Sequence, residues 1–347
     1  MESAIPPHLT CPRSRPRRAP EGHVPPYPAW TARSDPPVDR IVMGYFGVQW
    51  AGEDGETAAL ATADALARRL REDGSAFNVE RAAFRDAAGY RNIIAIAYWR
   101  SVEDHDRWWS AHAGWWNAPD REEAPHGLYR EIFSPRATHF ETLYSSLGQL
   151  DGVGAMLGEA SADDVREHGY WGSMRDRLPA SQTDALAPAG VVSAPSTGRR
   201  RLVHGHDNVA LIRSGQDWAA VRGEEKNLYE GRMEPTLAAG MDFLRDEGLS
   251  IGCYFNRYMR HVDERGAPLE RSFGMSCWRS LADLERWAEH HPTHVAIFGE
   301  FMGIVRIMQG QLNLRLYHEV AVFAPDEQLY EYIGCHPRTG MLGAATA

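Results

Sequence analysis

The chain has 347 residues, of which 43% are hydrophobic, and a formal net charge of −10. This length allows two domains or one large duplicated unit, and the apolar fraction is ordinary for a globular protein with a core. The negative charge argues against nucleic acid and against anionic membrane surfaces as main partners. No apolar run reaches the ~18 residues of a membrane span, and the opening MESAIPPHLT lacks the apolar region of a signal peptide.

The four cysteines, Cys11, Cys253, Cys277 and Cys335, are widely spaced and form no CxxC pair. Their spacing predicts neither a zinc ribbon nor a disulfide framework. A reducing cytoplasm is therefore the expected location.

The first half of the chain alternates between strand and helix patterns after a Pro- and Arg-rich start. Residues 1–37 show no hydrophobic period and are predicted to form an extended arm. In residues 38–149, β-branched and aromatic runs predict strands, and capped or Ala/Leu-rich runs with i, i+3, i+4 spacing predict helices. The predicted elements are strands at 41–50, 92–99 and 138–146, and helices at 57–73 and 101–112.

The second half, residues 207–335, repeats this alternation, and a tail of residues 336–347 follows it. Between the halves, residues 150–206 are rich in Gly, Pro and Ser, and a connection of this length is usually functional or flexible. The predicted elements of the second half are strands at 208–218, 251–262, 271–278 and 312–323, and helices at 233–248 and 280–291.

An internal sequence repeat relates the two halves. WRSVEDHDRWW begins at Trp99 and WRSLADLERWA begins at Trp278, and the same separation along the chain pairs His139 with His318. This repeat spacing predicts a tandem duplication of a β-α-β-β-α-β unit, each copy ferredoxin-like. We therefore expect an α+β fold in which two ferredoxin-like sheets form a barrel-type β-sandwich flanked by helices.

Three histidines lie within five positions of HHPTHVAIFGEFMG, residues 290–303. At the repeat spacing, His294 corresponds to Trp115, so it belongs to the second half alone, as a single site on a duplicated scaffold would. Pro292 ends one helix and places His294 in the first turn of a new apolar helix. The residues leave three interpretations open: a solvent-facing histidine, a zinc ligand with His291, or a haem ligand. Zinc would need a third ligand, whereas haem needs one neutral imidazole and a large apolar wall.

Four motifs in order resemble the aldoxime dehydratases, haem enzymes that convert aldoximes to nitriles, and the resemblance covers essentially residues 38–335. The resemblance implies a homodimer of ferredoxin-like sandwiches that binds haem b, ferrous in the active form, and a small aldoxime. The motifs are YWGSMRDRLP (170–179), LIRSGQDW (211–218), HPTHVAIF (291–298) and LRLYHEVAVF (314–323).

The resemblance also implies the two central roles of the reaction. It maps the axial ligand of the haem iron onto His294 and the distal acid–base residue onto His318. The substrate nitrogen would then bind the ferrous iron, while His318 first protonates the departing oxygen and then removes the aldoxime C–H proton. Imidazole suits both steps because it titrates near neutral pH.

Three further catalytic residues are implied by the resemblance. Ser214 would hold the oxime hydroxyl, and Glu141 in HFET would lie on the distal side. The catalytic arginine lies in MRDR, where Arg175 is the predicted residue and Arg177 the alternative. Taken singly, such residues are more often turn residues or solvated ion pairs, and only their joint occurrence in order favours catalytic roles.

Two other classes of function compete with this interpretation. One is another haem protein of the same fold, chlorite dismutase-like or dye-decolourising-peroxidase-like, because a fold alone does not define an activity. The other is a non-enzymatic ligand-binding protein of ferredoxin-like fold without haem.

Overall fold

A computed structural model of the chain describes residues 1–72, 74–147 and 151–345. Three details of the sequence predictions fall outside these residues. They are the last residue of the helix predicted at 57–73, the boundary predicted between 149 and 150, and the final two residues of the tail.

The described residues form an eleven-stranded antiparallel sheet and a separate ribbon of two short strands, Ala32–Arg33 and Glu159–Ala160. The strands are β1 (Ala32–Arg33), β2 (Val42–Trp50), β3 (Phe77–Arg85), β4 (Arg91–Trp99), β5 (Gly127–Phe133), β6 (Phe140–Tyr144), β7 (Glu159–Ala160), β8 (Arg200–Val203), β9 (Val209–Asp217), β10 (Cys253–Val262), β11 (Pro268–Trp278), β12 (Arg315–Phe323) and β13 (Gln328–Ile333).

Helices cover this sheet, and none in the described part of the chain is long and apolar enough to cross a bilayer. The α-helices are α1 (Glu56–Arg71), α2 (Val102–Trp116), α3 (Asp120–Glu123), α4 (Val153–Leu157), α5 (Ser173–Arg177), α6 (Gly223–Leu228), α7 (Glu234–Glu247), α8 (Leu281–His290), α9 (Pro292–Ile307) and α10 (Met341–Ala345). Short 3-10 turns lie at Pro7–Leu9, Ala137–His139, Pro179–Gln182, Gly248–Ile251 and Pro325–Glu327, and a π-turn lies at Tyr229–Met233.

The two halves of the large sheet have the same strand order. In the first half the order is β5-β2-β4-β3, and in the second it is β12-β9-β11-β10. Strands β10 and β3 pair antiparallel and join the halves into one sheet. The strand that follows each half in the sequence pairs with the edge strand of the other half. Strand β6, after the first half, pairs with β12, and β13, after the second half, pairs with β5. The fold is thus a mixed α+β fold built on a large antiparallel sheet.

Most predicted elements coincide with observed ones, but the end of the first half differs. The predicted strand at 138–146 is β6, which belongs beside β12, whereas β5 is the fourth strand of its own half. His139 lies in the 3-10 turn before β6 and is therefore not the counterpart of His318 on β12. The cause is α9, a sixteen-residue helix before β12, where the first half has only the four-residue α3.

Serine caps begin the equivalent helices of the two halves. The hydroxyl of Ser101 accepts the N–H of Asp104 at the start of α2, and that of Ser280 accepts the N–H of Asp283 at the start of α8. Such caps satisfy amides that the first helical turn leaves unpaired. Directly after α8, Pro292 begins α9, so the chain turns sharply at His291 and presents the next turn at a new angle.

Candidate active site

Two candidate residues face each other across neighbouring strands. His318 on β12 is paired in register with Ser214 on β9, and directly opposite residues of antiparallel strands have Cβ atoms about 5 Å apart. Because side chains alternate along a strand, Leu316 and Val320 share the face of His318. Both pack in an apolar cluster that also contains Ile297 of α9. The structure therefore places His318 and Ser214 toward the layer that α9 covers.

A buried ion pair holds the imidazole of His318. Arg177, at the end of α5, donates from Nε to Glu141 Oε2 (2.7 Å) and from Nη2 to Oε1 (3.1 Å). The same Nη2 lies 2.6 Å from His318 Nε2, and Glu141 Oε1 lies 3.2 Å from that nitrogen. Nη1 of Arg177 donates to the carbonyl of Glu167 (2.6 Å). Arg177 and Glu141 are buried, while the side chain of His318 stays 24% exposed.

The charges of this cluster favour an ionised glutamate. Burial alone would raise the pKa of Glu141, but the nearby Arg177 and His318 outweigh it and hold the pKa below its usual value. The pKa of His168, also near Arg177, is lowered as well, to about 4, by burial and by the guanidinium. For a histidine this favours the neutral form. At neutral pH the cluster therefore contains a carboxylate and a guanidinium beside a neutral His168.

The structure brings Arg177, and not Arg175, to His318. Arg175 donates from Nε and Nη2 to the carboxylate of Glu285 on α8 (3.0 and 2.7 Å) and from Nη1 to the carbonyl of Ala185 (2.7 Å). Residues two apart on a helix point about 200° apart, so the two arginines of α5 meet different partners. The preference for Arg175 in the sequence analysis is therefore at odds with these contacts.

His294 lies in the first turn of α9 between two indoles. Its ring centroid is 4.6 Å from that of Trp287 and 5.8 Å from that of Trp171. Its buried Nδ1 has no hydrogen-bond partner of good geometry in the residues that the structure describes. Burial lowers the pKa of His294, and the carbonyl of Ala288 acts in the opposite direction. The net result is a neutral imidazole, which is the form that binds iron.

An exposed apolar wall continues from this imidazole along α9. Val295 is 48% exposed and Phe298 41%, and the indole of Trp171, 38% exposed, packs 5.1 Å from the Phe298 ring. Large exposed apolar patches mark ligand or partner sites, and a haem macrocycle needs such a wall beside its ligand. The donor set fits haem, in which the porphyrin supplies the other iron ligands.

A zinc site has less support from the described residues. Within residues 1–72, 74–147 and 151–345, no group of three or more His, Cys, Asp or Glu side chains lies close enough to hold a metal ion. His291, the second member of the HxxH pair, instead caps α9 with its side chain.

A largely buried imidazole beside an exposed apolar wall, together with a buried His–Arg–Glu cluster, fits a haem enzyme, and comparisons with known proteins identify the family. The family model described as haem-containing dehydratase matches residues 44–341. The chain therefore belongs to the haem-containing dehydratase family, which confirms the resemblance found in its motifs. This membership favours a dehydratase over the chlorite dismutase-like, peroxidase-like and haem-free alternatives.

Individual relatives cover nearly the whole chain. An aliphatic aldoxime dehydratase of Rhodococcus globerulus is 48% identical over 349 residues, 99% of this chain and 98% of the relative. A phenylacetaldoxime dehydratase of Bacillus sp. (strain OxB-1) is 31% identical over 335 residues, 94% of each chain. A crystal structure of an aldoxime dehydratase in complex with butyraldoxime superimposes with a TM-score of 0.94 at 46% identity, covering 99% of this chain and 97% of that one.

Glu285, the buried partner of Arg175, was not predicted, although the sequence carries a signal for it. Glu285 lies four residues after Leu281 and three before Ala288, so helical spacing puts it on the apolar face of α8. A buried glutamate requires a cation or hydrogen-bond donors, and Arg175 provides them. A glutamate on the apolar face of a predicted helix thus indicates a buried cationic partner, and the structure shows that this partner is Arg175.

Proposed function

We propose that this chain dehydrates aldoximes to nitriles, R–CH=N–OH → R–C≡N + H₂O, with haem b bound through His294 and His318 as the acid–base residue. The observation that carries the proposal is the contact of His318 with the buried Arg177–Glu141 pair, opposite Ser214 and facing the layer covered by the helix of His294. The names of the relatives and the butyraldoxime complex of one of them support the substrate class. When bound through His294, ferrous haem would supply the iron chemistry that activates the oxime N–O bond toward cleavage.

His318 moves the proton that the reaction requires. Hydroxide is a poor leaving group, so the imidazolium donates a proton to the oxime oxygen and water departs. The neutral imidazole then takes the aldoxime C–H proton, which returns the residue to its starting state and balances the equation. Because Nε2 is held by Arg177 and Glu141, Nδ1 is the nitrogen left to face the substrate.

Arg177 and Glu141 keep Nε2 satisfied in both protonation states. A ring that exchanges its proton at Nδ1 keeps a hydrogen on Nε2 in both states; Glu141 Oε1 at 3.2 Å accepts that hydrogen, and the guanidinium of Arg177 holds the carboxylate in place. The 2.6 Å contact of Arg177 Nη2 with Nε2 belongs to the resting neutral tautomer, in which the hydrogen lies on Nδ1. The ring therefore keeps its direction while Nδ1 gains and loses its proton. Ser214, opposite His318, donates to the oxime hydroxyl and fixes its direction, a hydrogen bond worth ~1–3 kcal/mol.

The proposal is tested first at the haem ligand. His294→Ala is expected to yield folded protein with little or no bound haem, and full retention with an unchanged absorption spectrum would contradict the assignment. Turnover of butyraldoxime under nitrogen, with and without dithionite, tests the requirement for ferrous iron. Equal rates in the two oxidation states, or a requirement for peroxide, would count against a dehydratase of this kind.

The finer architecture and the location belong to the same proposal. The chain is a tandem duplication of a ferredoxin-like unit, and it acts as a homodimer in a reducing cytoplasm. The shared strand order of the two halves supports the duplication, and the four cysteines, all of them free thiols, support a reducing compartment. Sedimentation equilibrium of the holoenzyme tests the dimer, and a monomer at micromolar concentration would contradict it.

A further inference from the structure

The imidazole of His294 has one fixed neighbour and one exposed neighbour. Both Trp287 and Trp171 meet it edge-on, at interplanar angles of 62° and 66°. Trp171 is an exposed side chain in the segment before α5, whereas Trp287 is buried in α8 and packs 5.7 Å from Trp278. Of these two tryptophans, Trp287 is therefore the one that can hold the imidazole of His294 in one orientation.

A chain of hydrogen bonds in turn fixes Trp287. Its Nε1 donates to Thr293 Oγ1 (3.1 Å), which lies 2.9 Å from His291 Nδ1. The backbone N–H of Thr293 also donates to that Nδ1 (3.4 Å), so the nitrogen carries no hydrogen and the hydroxyl must donate to it. The chain thus runs from indole through hydroxyl to imidazole. It ends against α7, where His291 stacks on Phe243 at 4.3 Å and 28°.

The first half of the protein contains the same tryptophan without this chain. At the repeat spacing that relates Trp99 to Trp278, the counterpart of Trp287 is Trp108, whose Nε1 donates to a backbone carbonyl of α1 (2.9 Å). The position matching Thr293 is Gly114, and the position matching His294 is Trp115. The hydroxyl acceptor therefore occurs only in the half that carries the histidine.

We infer that Trp287, Thr293 and His291 form a positioning chain that sets the orientation of His294 toward the haem iron. This inference rests on the proposed ligation of haem by His294. The indole edge, 4.6 Å from the imidazole, restricts rotation of that ring, and the hydroxyl stops the indole from turning. Neighbours that orient a metal-binding histidine typically change metal affinity about 10–100-fold when they are removed.

The experiment removes the hydroxyl from the full-length holoenzyme. Thr293→Val keeps the shape and β-branch of the side chain, and Thr293→Ser keeps the hydroxyl. With valine, haem should be lost to apomyoglobin about 10-fold faster, and the Fe–His stretching band in the resonance Raman spectrum of the ferrous protein should shift or broaden. Serine should restore both values. Trp287→Phe should act in the same direction as valine, and Trp108→Phe should leave both values unchanged.

The outcomes separate this inference from the proposed function. A Thr293→Val protein with the wild-type band and the wild-type rate of haem loss would overturn the inference. If that variant does not fold, Trp287→Phe decides by the same two measurements. His294→Gly with added imidazole tests ligation itself, since a restored iron–imidazole band requires that His294 be the ligand. If added imidazole does not restore the band, the proposed function is overturned. If it restores the band while the Thr293 and Trp287 variants keep the wild-type band and rate of haem loss, only the inference is overturned.

Discussion

The two arginines of α5 allow a matched test of the proposed distal site. Arg177 and Arg175 lie two residues apart, and each holds a buried glutamate through a guanidinium fork and also donates to a backbone carbonyl. They differ in one contact that bears on the reaction: Arg177 reaches His318 Nε2 at 2.6 Å. Replacement of each arginine by lysine keeps the charge and removes the fork.

We expect Arg177→Lys to lower kcat about 100-fold and Arg175→Lys to change it less than about threefold, because only the first variant disturbs His318, the proposed acid–base residue. An ammonium cannot bind two carboxylate oxygens, a carbonyl and an imidazole at once, so His318 loses its fixed direction. Loss of a positioned acid–base group typically costs about 10²–10⁴-fold. The stability costs of the two variants should be of similar size, because each loses a comparable fork to a buried carboxylate.

The glutamine variant adds a pH signature. Arg177→Gln removes the main group that holds the pKa of Glu141 down, so burial then raises that pKa. The wild-type carboxylate stays ionised to lower pH than an ordinary glutamate, and in the variant it takes up a proton nearer to neutrality. The acid limb of the kcat profile should therefore move to higher pH. Leaving one member of a buried ion pair alone also costs about 3–5 kcal/mol of stability.

The assay is nitrile formation from butyraldoxime under nitrogen with dithionite, scaled to the haem content of each preparation. Urea unfolding of each holoenzyme provides the stability comparison. If Arg177→Lys kept more than about a third of wild-type kcat while Arg175→Lys lost activity, the placement of the distal arginine would be refuted. Equal losses in both variants would show that folding of α5, and not the contact with His318, controls the rate.

Other contacts give three further predictions. His318→Asn is expected to keep haem and lose about 10²–10⁴-fold in nitrile formation, whereas His139→Ala should retain most activity; more than a tenth of wild-type turnover in the first variant would move the acid–base role elsewhere. Asp176 lies beside Arg177 and accepts hydrogen bonds from two backbone amides of the N-terminal arm (2.8 and 3.1 Å). Asp176→Asn should lower kcat about tenfold at unchanged haem content. An unaltered kcat would argue against a role for the arm in placing Arg177. Burial, the largest effect, raises the pKa of Glu319 to about 7 from 4.5, so its contribution to stability is present below pH 4.5 and falls by up to about 3 kcal/mol as pH rises to 7. Urea unfolding at pH 5 and pH 8 should show this fall reduced in Glu319→Gln, and the same fall in both proteins would contradict it.

Elements with a local signal were predictable from the sequence. The serine caps of α2 and α8 and the helical spacing behind them place both starts at the observed residues. Strand β3 was missed because it carries Glu80 and Arg81 among its apolar residues. Their partners are Arg213, in the other half of the chain on β9, and Asp64 on α1. A charged strand is stabilised by partners that no local pattern reveals.

The choice between the two arginines of α5 depends on tertiary contacts in the same way. The MRDR stretch presents two cations in a five-residue helix, and each has a buried carboxylate on its own side, Glu285 on α8 or Glu141 on β6. The family resemblance assigns the glutamate in HFET to the distal side. The pairing of that carboxylate with one particular arginine follows only when β6 is placed beside β12.

Helix α9 explains both the failure of the repeat spacing and the difference between the halves. The separation between Trp99 and Trp278 holds from β4 and β11 through α2 and α8, and it fails after them because α9 lengthens the second half. The same helix carries His294, its apolar wall and the hydroxyl of Thr293, whereas the matching stretch of the first half is a continuation of α2 filled by Trp115 and Trp116. His139 therefore does not correspond to His318. The extra segment that breaks the repeat spacing before His318 is α9, the helix that carries the proposed haem site.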